Sequence, residues 1–263
     1  MTVRAVYNCE HMDNKITTIE DALAALEYGD GYEEIKHVPK AIKTAEFWHA
    51  AVKQNGRILR YVPRALKTKE LCNIAIEDNG LALAYVPKSM ITEKMCARAL
   101  YTASFCFHVS PLIYIPEKFK TEEICLAAVE DNGLALAYVP EKLKTEKICL
   151  TALKANAYCG SPLEFVPEEQ KTPELCLIAV KQTANAFNFI PEAFKTDKFY
   201  MAAAKKNFCS LNYVPDELKT AELYLAAVQH GGMPISFVSE ELHQIVGGAL
   251  RHNHSNGRMC SQV

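Results

Sequence analysis

The chain has 263 residues, and its 29 lysines and arginines against 31 aspartates and glutamates give a formal net charge of −2. Hydrophobic residues make up 49% and charged residues 23%, which is typical of folded globular proteins. These proportions exclude wholesale disorder, a collagen-like fibre and a strongly basic nucleic-acid coat. No stretch approaches the roughly 18 consecutive apolar residues of a membrane span, and the start of the chain lacks the pattern of a signal peptide.

The N-terminal segment, residues 1–36, is predicted to cap the part of the chain that follows it. Within it, residues 18–29 imitate one long helix imperfectly: Thr18 offers an N-cap, Ala25 and Leu26 are apolar, and Gly29 ends the pattern. Terminal copies in repeat proteins are commonly atypical, because one of their faces must meet water. We therefore expect a short helix here.

Residues 37–238 contain eight tandem copies of one repeat. The string EDNGLALAYVP occurs at 77–87 and again, letter for letter, at 130–140. The copies align on a proline, found at Pro39, Pro63, Pro87, Pro116, Pro140, Pro167, Pro191 and Pro215. Successive prolines are 24 residues apart, except that the third and fifth gaps are 29 and 27 residues. Such repetition is typical of a solenoid, in which each unit buries its apolar face against its neighbours.

Each copy is predicted to contain one long helix. A threonine follows the proline by five residues in all eight copies, and its hydroxyl is expected to cap the helix. Apolar residues recur eight, nine, twelve and thirteen positions after the proline, which forms one stripe on a helix. The twelfth position is always alanine, which predicts that a neighbouring helix passes closely. The Asn-Gly pair at 79–80 and its equivalents are expected to end the helix in a left-handed cap.

The rest of each copy is predicted to contain a second, short helix. Residues 81–86 and their equivalents are rich in Leu and Ala, which favours a helix over a strand. The predicted fold class is therefore all-α, an α-solenoid of about nine stacked helical hairpins with a 24-residue repeat. A ninth copy, which has diverged from the others, begins at Ser239. We interpret residues 239–263 as a degenerate C-terminal cap with a flexible tail.

The repeat resembles an uncharacterised bacterial family of helical repeats, of the domain-of-unknown-function kind. The residues that carry this resemblance read Asn-Gly-Leu-Ala-Leu-x-Tyr-Val-Pro-Glu-x-Leu-Lys-Thr, as at 132–145, and the likeness covers roughly residues 37–242. Members of the family are common in multi-repeat proteins, including those of intracellular bacteria. The resemblance implies the repeat fold and assigns no catalytic residue.

The ten cysteines form no CxxC pair. Five of them stand nine positions after the proline, where other copies have Trp or Tyr, which indicates core packing rather than a nucleophile. His252, His254 and Cys260, like Cys9 and His11, are potential metal ligands, but incidental residues near the chain ends are favoured and no metal site is predicted. We expect reduced thiols in the cytoplasm, or in the cytosol of a host cell if the protein is an exported effector.

The two lengthened copies are candidate binding sites, because insertions in a solenoid often lie at its binding edge. They carry Phe105, Phe107 and His108 in one copy and Tyr158 in the other. Cys106 beside His108 leaves open a small catalytic or ligand site, although a dyad without a third, orienting group is a weak pattern. The chain has no GxSxG, HExxH or P-loop motif, and no cofactor is expected.

Charge is distributed unevenly along the repeats. Five basic residues are concentrated in the second copy, namely Arg57, Arg60, Arg64, Lys67 and Lys69. They are flanked by Lys40 and Lys88, each of which directly follows a repeat proline. In later copies the residue after the proline is acidic, as Glu117, Glu141, Glu168, Glu192 and Asp216. This pattern is typical of a solvated surface, but it also fits an anionic partner attracted to the first third of the repeats. Nucleic acid is not the expected partner, because the basic residues are confined to one patch.

The sequence thus predicts a non-catalytic helical-repeat scaffold that binds another macromolecule, with a protein as the expected partner. Two alternatives remain open. One is a catalytic or ligand site at the inserted turns, and the other is binding of anions or nucleic acid by the basic second copy.

Overall fold

The computed structural model of the protein describes residues 16–27, 32–102, 109–155 and 160–255. No residue within these ranges belongs to a β-strand, so the prediction of an all-α fold is confirmed for them. The α-helices are α1 (Ile19–Glu27), α2 (Tyr32–His37), α3 (Ala45–Gln54), α4 (Lys69–Asp78), α5 (Glu93–Thr102), α6 (Glu122–Asp131), α7 (Glu146–Lys154), α8 (Pro173–Gln182), α9 (Asp197–Lys206), α10 (Ala221–His230) and α11 (Glu240–Ser255).

Two kinds of 3₁₀-helix alternate with the long α-helices. Those before the repeat proline or its equivalent are Gly56–Tyr61, Gly80–Tyr85, Pro111–Tyr114, Gly133–Tyr138, Pro162–Phe165, Ala184–Phe189, Phe208–Tyr213 and Ile235–Phe237. Those after it are single turns, at Arg64–Leu66, Glu117–Phe119, Glu141–Leu143, Glu168–Gln170, Glu192–Phe194 and Asp216–Leu218. The predicted short helix is therefore confirmed, in the tighter 3₁₀ form that proteins use for pieces of this length.

The described residues form two compact units. The first unit comprises the described residues up to 102 together with 114–119, and the second comprises 109–113 and the described residues from 120 onward. In the first unit α1 contacts α3, and α3, α4 and α5 pack consecutively. In the second unit the helices from α6 to α11 pack in chain order, each against the next. Consecutive packing of this kind is the arrangement expected of a helical repeat.

The apolar stripe of each long helix is buried, as the spacing predicts. In α6 the buried residues are Ile124, Cys125, Ala128 and Val129, at the eighth, ninth, twelfth and thirteenth positions after Pro116. The alanine of the twelfth position is at most 1% exposed in all eight copies. Burial of a small side chain at this point allows the elements of the next copy to approach closely.

The predicted threonine N-caps are confirmed in all eight copies. Each threonine hydroxyl oxygen accepts a hydrogen bond from the backbone N–H three residues later, at 3.1 to 3.4 Å. The bond satisfies a donor of the first turn that has no partner within the helix. In α8 the residue after the cap is Pro173, which is favoured at the first helical position.

The predicted left-handed cap at the Asn-Gly pairs is wrong. Asn55 has φ −150° and ψ 106°, which is extended backbone, and Asn79 and Asn132 are nearly the same. Their side-chain oxygens face forward and accept from the N–H two residues later, at 3.0 Å in each case. Each asparagine therefore caps the following 3₁₀-helix and does not close the α-helix in the left-handed region.

The glycine of the pair is required by a close approach between successive copies. A Cβ atom on Gly56 would lie 2.3 Å from the carbonyl oxygen of Ala75, and one on Gly133 would lie 2.3 Å from that of Ala152. The Gly56 N–H also donates to Oδ2 of Asp78 at 2.7 Å. The start of each of these 3₁₀-helices thus rests on the long helix of the next copy, where no side chain has room.

The two ends of the described chain differ from the inner copies. At α1, Thr18 Oγ1 accepts from the Asp21 N–H at 3.1 Å, while Oδ2 of Asp21 accepts from the backbone N–H groups of Thr17 and Thr18. These bonds to the charged carboxylate, chiefly the one from Thr17, hold the pKa of Asp21 below its usual value. At the other end, α11 continues for 16 residues to Ser255, whereas α10 has 10.

Candidate anion-binding surface

Four copies of the second unit contain an ion pair within the turn after the proline. The acidic residue after the proline faces the lysine three residues later, which precedes the threonine cap. The pairs are Lys144–Glu141 at 2.7 Å, Lys171–Glu168, Lys195–Glu192 at 2.6 Å and Lys219–Asp216 at 2.7 Å. The acids are largely exposed, whereas the lysine side chains are 4 to 28% exposed. Each lysine charge is therefore balanced within its own turn.

In three copies the lysine before the threonine cap also connects one copy to the next. Nζ of Lys171 donates to the carbonyl oxygen of Phe189 at 3.0 Å, and Nζ of Lys120 donates to that of Tyr138 at 2.8 Å. The acceptor in both cases is the residue two positions before the next proline. In the first unit Nζ of Lys67 makes the same bond to the carbonyl oxygen of Tyr85, at 2.9 Å.

The first two copies replace the acidic member of the pair with a base. Arg64 stands three residues before Lys67, and Lys40 stands three residues before Lys43. The like charge of Lys40 adds to burial in lowering the pKa of Lys43, and burial lowers the pKa of Lys67. In the third copy Lys88 follows the proline. The turns that are charge-balanced in the second unit are thus cationic in the first three copies.

Three of these cations line one open cavity of about 590 Å³. Arg64, Lys67 and Lys88 contribute the charges, and Tyr85 and Ser89 contribute an aromatic ring and a hydroxyl. No aspartate or glutamate is among the described residues that line it. Arg64 and Lys88 are exposed, whereas Lys67 is partly buried and held by its bond to the Tyr85 carbonyl.

Arg60 lies close to the same cavity, because its guanidinium contacts the ring of Tyr85. Its Cζ atom lies 5.1 Å from the ring centroid of Tyr61 and 5.7 Å from that of Tyr85. These are cation–π distances, and they link the equivalent tyrosines of two successive copies. We call Arg60, Arg64, Lys67, Lys88 and Tyr85 the cationic surface.

The arginines singled out by sequence have different positions. Arg64 lines the cavity, and Arg60 lies over Tyr85, which lines it as well. Arg57 is exposed on the 3₁₀-helix Gly56–Tyr61 and is not among the residues that line the cavity. Sequence reasoning did not place Tyr85 in a site. The sequence did contain a signal for the site, however. The residue three positions before the capping-turn lysine is positively charged in the first two copies and negatively charged from the fourth copy onward.

The residues predicted to form a site at the inserted turns fall outside the part of the chain that the structure describes. Phe105, Phe107, His108 and Tyr158 lie outside the described residues, as does Cys106. The Ser-Pro pairs that follow the insertions do re-cap the short helices. Ser110 Oγ accepts from the Leu112 N–H at 3.3 Å, and Ser161 Oγ accepts from the Leu163 N–H at 3.4 Å.

The cysteines of the ninth position pack in the core, as their exchange with Trp and Tyr predicts. The five cysteines at this position are fully buried, whereas Cys209 is exposed; they are Cys72, Cys96, Cys125, Cys149 and Cys176. Burial raises the pKa of Cys96, Cys149 and Cys176 to about 11. Within the described ranges no three His, Cys, Asp or Glu side chains gather in a possible metal site, and no helix is long and apolar enough to cross a membrane.

A comparison with protein families identifies the repeat. The model of a domain of unknown function, DUF4116, matches residues 46–91, 121–171, 145–195 and 197–243, which together cover more than half of the chain. The chain belongs to this family. The predicted resemblance to an uncharacterised repeat family is thereby confirmed. Searches of curated proteins and of solved structures found no match.

The cationic surface is built on one of these DUF4116 segments. Its residues, from Arg60 to Lys88, all fall within the match at 46–91. The four ion-paired turns fall within the matched ranges from 121 to 243. The same repeat framework therefore carries a balanced turn in one part of the chain and a cationic one in another.

Proposed function

We propose that the protein is a non-catalytic helical-repeat scaffold that binds another protein, and that an acidic segment of that partner docks on the cationic surface. The observation that supports this is the replacement of an acid by a base three residues before the capping-turn lysine. Where Glu168 neutralises Lys171, the equivalent Arg64 adds a second positive charge beside Lys67. A partner's carboxylates would supply the missing negative charge.

Charge alone is not enough to explain stable binding. An exposed ion pair contributes only about 0.2–1 kcal/mol, so a few such pairs give weak attachment. Tyr85 is 36% exposed at the wall of the cavity and offers apolar area to a bound chain. Aromatic side chains and arginines are the residues that most often dominate binding energy at protein interfaces. The cationic surface contains both.

The distribution of charge favours a protein over a nucleic acid. The net charge of the chain is −2, and the turns of the second unit carry acidic side chains that are 74 to 89% exposed. A nucleic acid that ran along the repeats would meet these carboxylates. A short acidic segment that occupies only the first unit would not.

The experiment compares partner capture by wild-type protein and by two charge variants. Arg64→Glu restores the acid found in the second unit, so it should fold and pair with Lys67. Lys205→Glu makes the same change in net charge on an exposed residue of α9. We expect lysate proteins that bind wild type and Lys205→Glu, but not Arg64→Glu, to share an acidic segment. A synthetic peptide of that segment should displace them.

Identical sets of captured proteins with all three baits would contradict the proposal. So would a set whose binding depends on Arg64 but that no acidic peptide displaces.

A further inference from the structure

The number and arrangement of charges in the cavity indicate more than a general preference for acids. Arg64, Lys67 and Lys88 bring three positive charges to one space, and the described residues that line it supply no negative charge. In the second unit the equivalent turns hold one lysine and one carboxylate. A single partner carboxylate in the cavity would therefore leave most of the positive charge unbalanced.

The three cations also differ in what they offer a ligand. Arg64 presents the planar fork of a guanidinium, which binds two oxygens of one group at once. Lys88 is an exposed ammonium, and Ser89 beside it is an exposed hydroxyl donor. Lys67 is already held by the Tyr85 carbonyl at 2.9 Å, so little side-chain entropy is lost if it donates to a ligand as well.

We propose that this cavity binds the phosphate group of a phosphorylated serine or threonine on the partner protein. The inference rests on the proposed function and names the group that the cationic surface selects. A phosphorylated side chain carries about −1.5 to −2 charges near pH 7 and three strong acceptor oxygens, against one charge and two oxygens for a carboxylate. Two oxygens would face Arg64, and the third would face Lys88 and Lys67.

The surroundings of the cavity suit a side chain that arrives on a peptide. A volume of about 590 Å³ exceeds what a phosphate alone would fill, and the cavity has an aromatic ring at its wall. Arg60 lies 5.7 Å from the centroid of that ring and keeps its guanidinium near the site. The peptide chain beside the phosphorylated residue would pack on Tyr85 and Pro87, which also lines the cavity.

The test uses three peptides with the same neutral flanking sequence and a central phosphoserine, glutamate or serine. Binding is followed by NMR from the backbone amides of Lys88 and Ser89 at physiological salt. We expect the phosphoserine peptide to bind about tenfold more tightly than the glutamate peptide, since one further charge-assisted hydrogen bond has about that effect. The serine peptide should not bind.

Variants then test the assigned residues. Arg64→Lys keeps the charge and removes the fork, so it should reduce the preference for phosphoserine over glutamate while leaving some binding of both. Lys88→Ala should weaken the binding of the phosphoserine peptide. Lys205→Ala, in the second unit, should leave the affinities for the phosphoserine and glutamate peptides unchanged. Circular dichroism melting curves check that each variant is folded.

The outcomes separate this inference from the proposed function. Equal affinity for phosphoserine and glutamate would overturn the phosphate assignment and leave the acidic-segment proposal standing. Absence of binding for both would contradict both proposals. Inorganic phosphate that binds as tightly as the phosphoserine peptide would overturn the peptide part, and a single-stranded oligonucleotide that binds more tightly would overturn the choice of a protein.

Discussion

Lys171 and Phe189 are joined by a hydrogen bond from Nζ to the backbone carbonyl oxygen, at 3.0 Å and across 18 positions of the chain. The lysine side chain is 4% exposed and also pairs with Glu168, so one buried ammonium closes its own turn and connects to the next copy. Removal of this ammonium would cost free energy, because the carbonyl would lose a hydrogen bond from a charged donor. Lys171, like Lys67 and Lys120 at the equivalent position, therefore helps to hold successive copies in register.

The first prediction removes this ammonium. Lys171→Met should lower the free energy of unfolding by about 1–3 kcal/mol, since it leaves the Phe189 carbonyl without its donor. Lys219→Met is the matched control: its side chain is 28% exposed and pairs with an Asp216 that is 89% exposed. It should cost less than about 1 kcal/mol. Urea denaturation measures both, and equal losses would show that the carbonyl bond contributes nothing.

The second prediction concerns the glycine of the Asn-Gly pair. Gly56→Ala places a Cβ atom 2.3 Å from the Ala75 carbonyl oxygen, and backbone must move to relieve the contact. We expect a loss of about 1–3 kcal/mol in the free energy of unfolding. Gly248→Ala in α11, where a Cβ atom would meet nothing within 4 Å, should instead stabilise by about 0.5–1 kcal/mol. A harmless Gly56→Ala would mean that the copies do not approach as closely as described.

Local patterns in the sequence predicted much of the fold. The threonine cap at Thr145 and the buried Cys149 follow from spacing within one copy, because a cap and an apolar stripe are decided inside a single helix. The Asn-Gly turn was misjudged for the opposite reason. Gly56 is needed for a contact with Ala75 in the next copy, and no pattern within one copy shows this contact.

The candidate site was predicted only in part, for a similar reason. Arg64 was singled out from charge along the chain, but its meaning depends on Lys67 three residues later in a 3₁₀ turn. The contribution of Tyr85 depends on packing between two copies, which places its ring under Arg60. No pattern within one copy shows that this tyrosine forms the wall of a cavity.

The third prediction concerns thiol reactivity in the folded protein. Cys209 is exposed, whereas Cys149 is buried and its pKa is raised to about 11 by burial. Only the thiolate reacts, so at pH 8 a maleimide should label Cys209 quickly and Cys149 only after unfolding. Mass spectrometry of labelled peptides gives the two rates, with labelling in urea as the control. Comparable rates without urea would contradict the packing of the ninth position.

The fourth prediction is that the raised pKa of Cys149 makes the stability of the protein depend on pH. The folded pKa of Cys149 is about 11 and lies above its ordinary value of 9.0, so the folded state retains a proton that the unfolded state loses. This contribution to stability is complete below pH 9 and is lost as the pH rises toward 11. The wild type should therefore lose more stability than Cys149→Ala between these two pH values. Parallel stability curves for the two proteins would show that Cys149 does not titrate as described.

The most direct test of the account is the affinity of a peptide of alternating glutamate and glycine for three proteins. Wild type should bind it, with an affinity that falls as salt rises, because the attraction is electrostatic. Arg64→Glu should bind at least about tenfold more weakly, a change of about 1.4 kcal/mol, while its circular dichroism spectrum stays that of wild type. Lys205→Glu should bind like wild type. Equal affinity of all three proteins for the peptide would contradict the assignment of the cationic surface as the binding site.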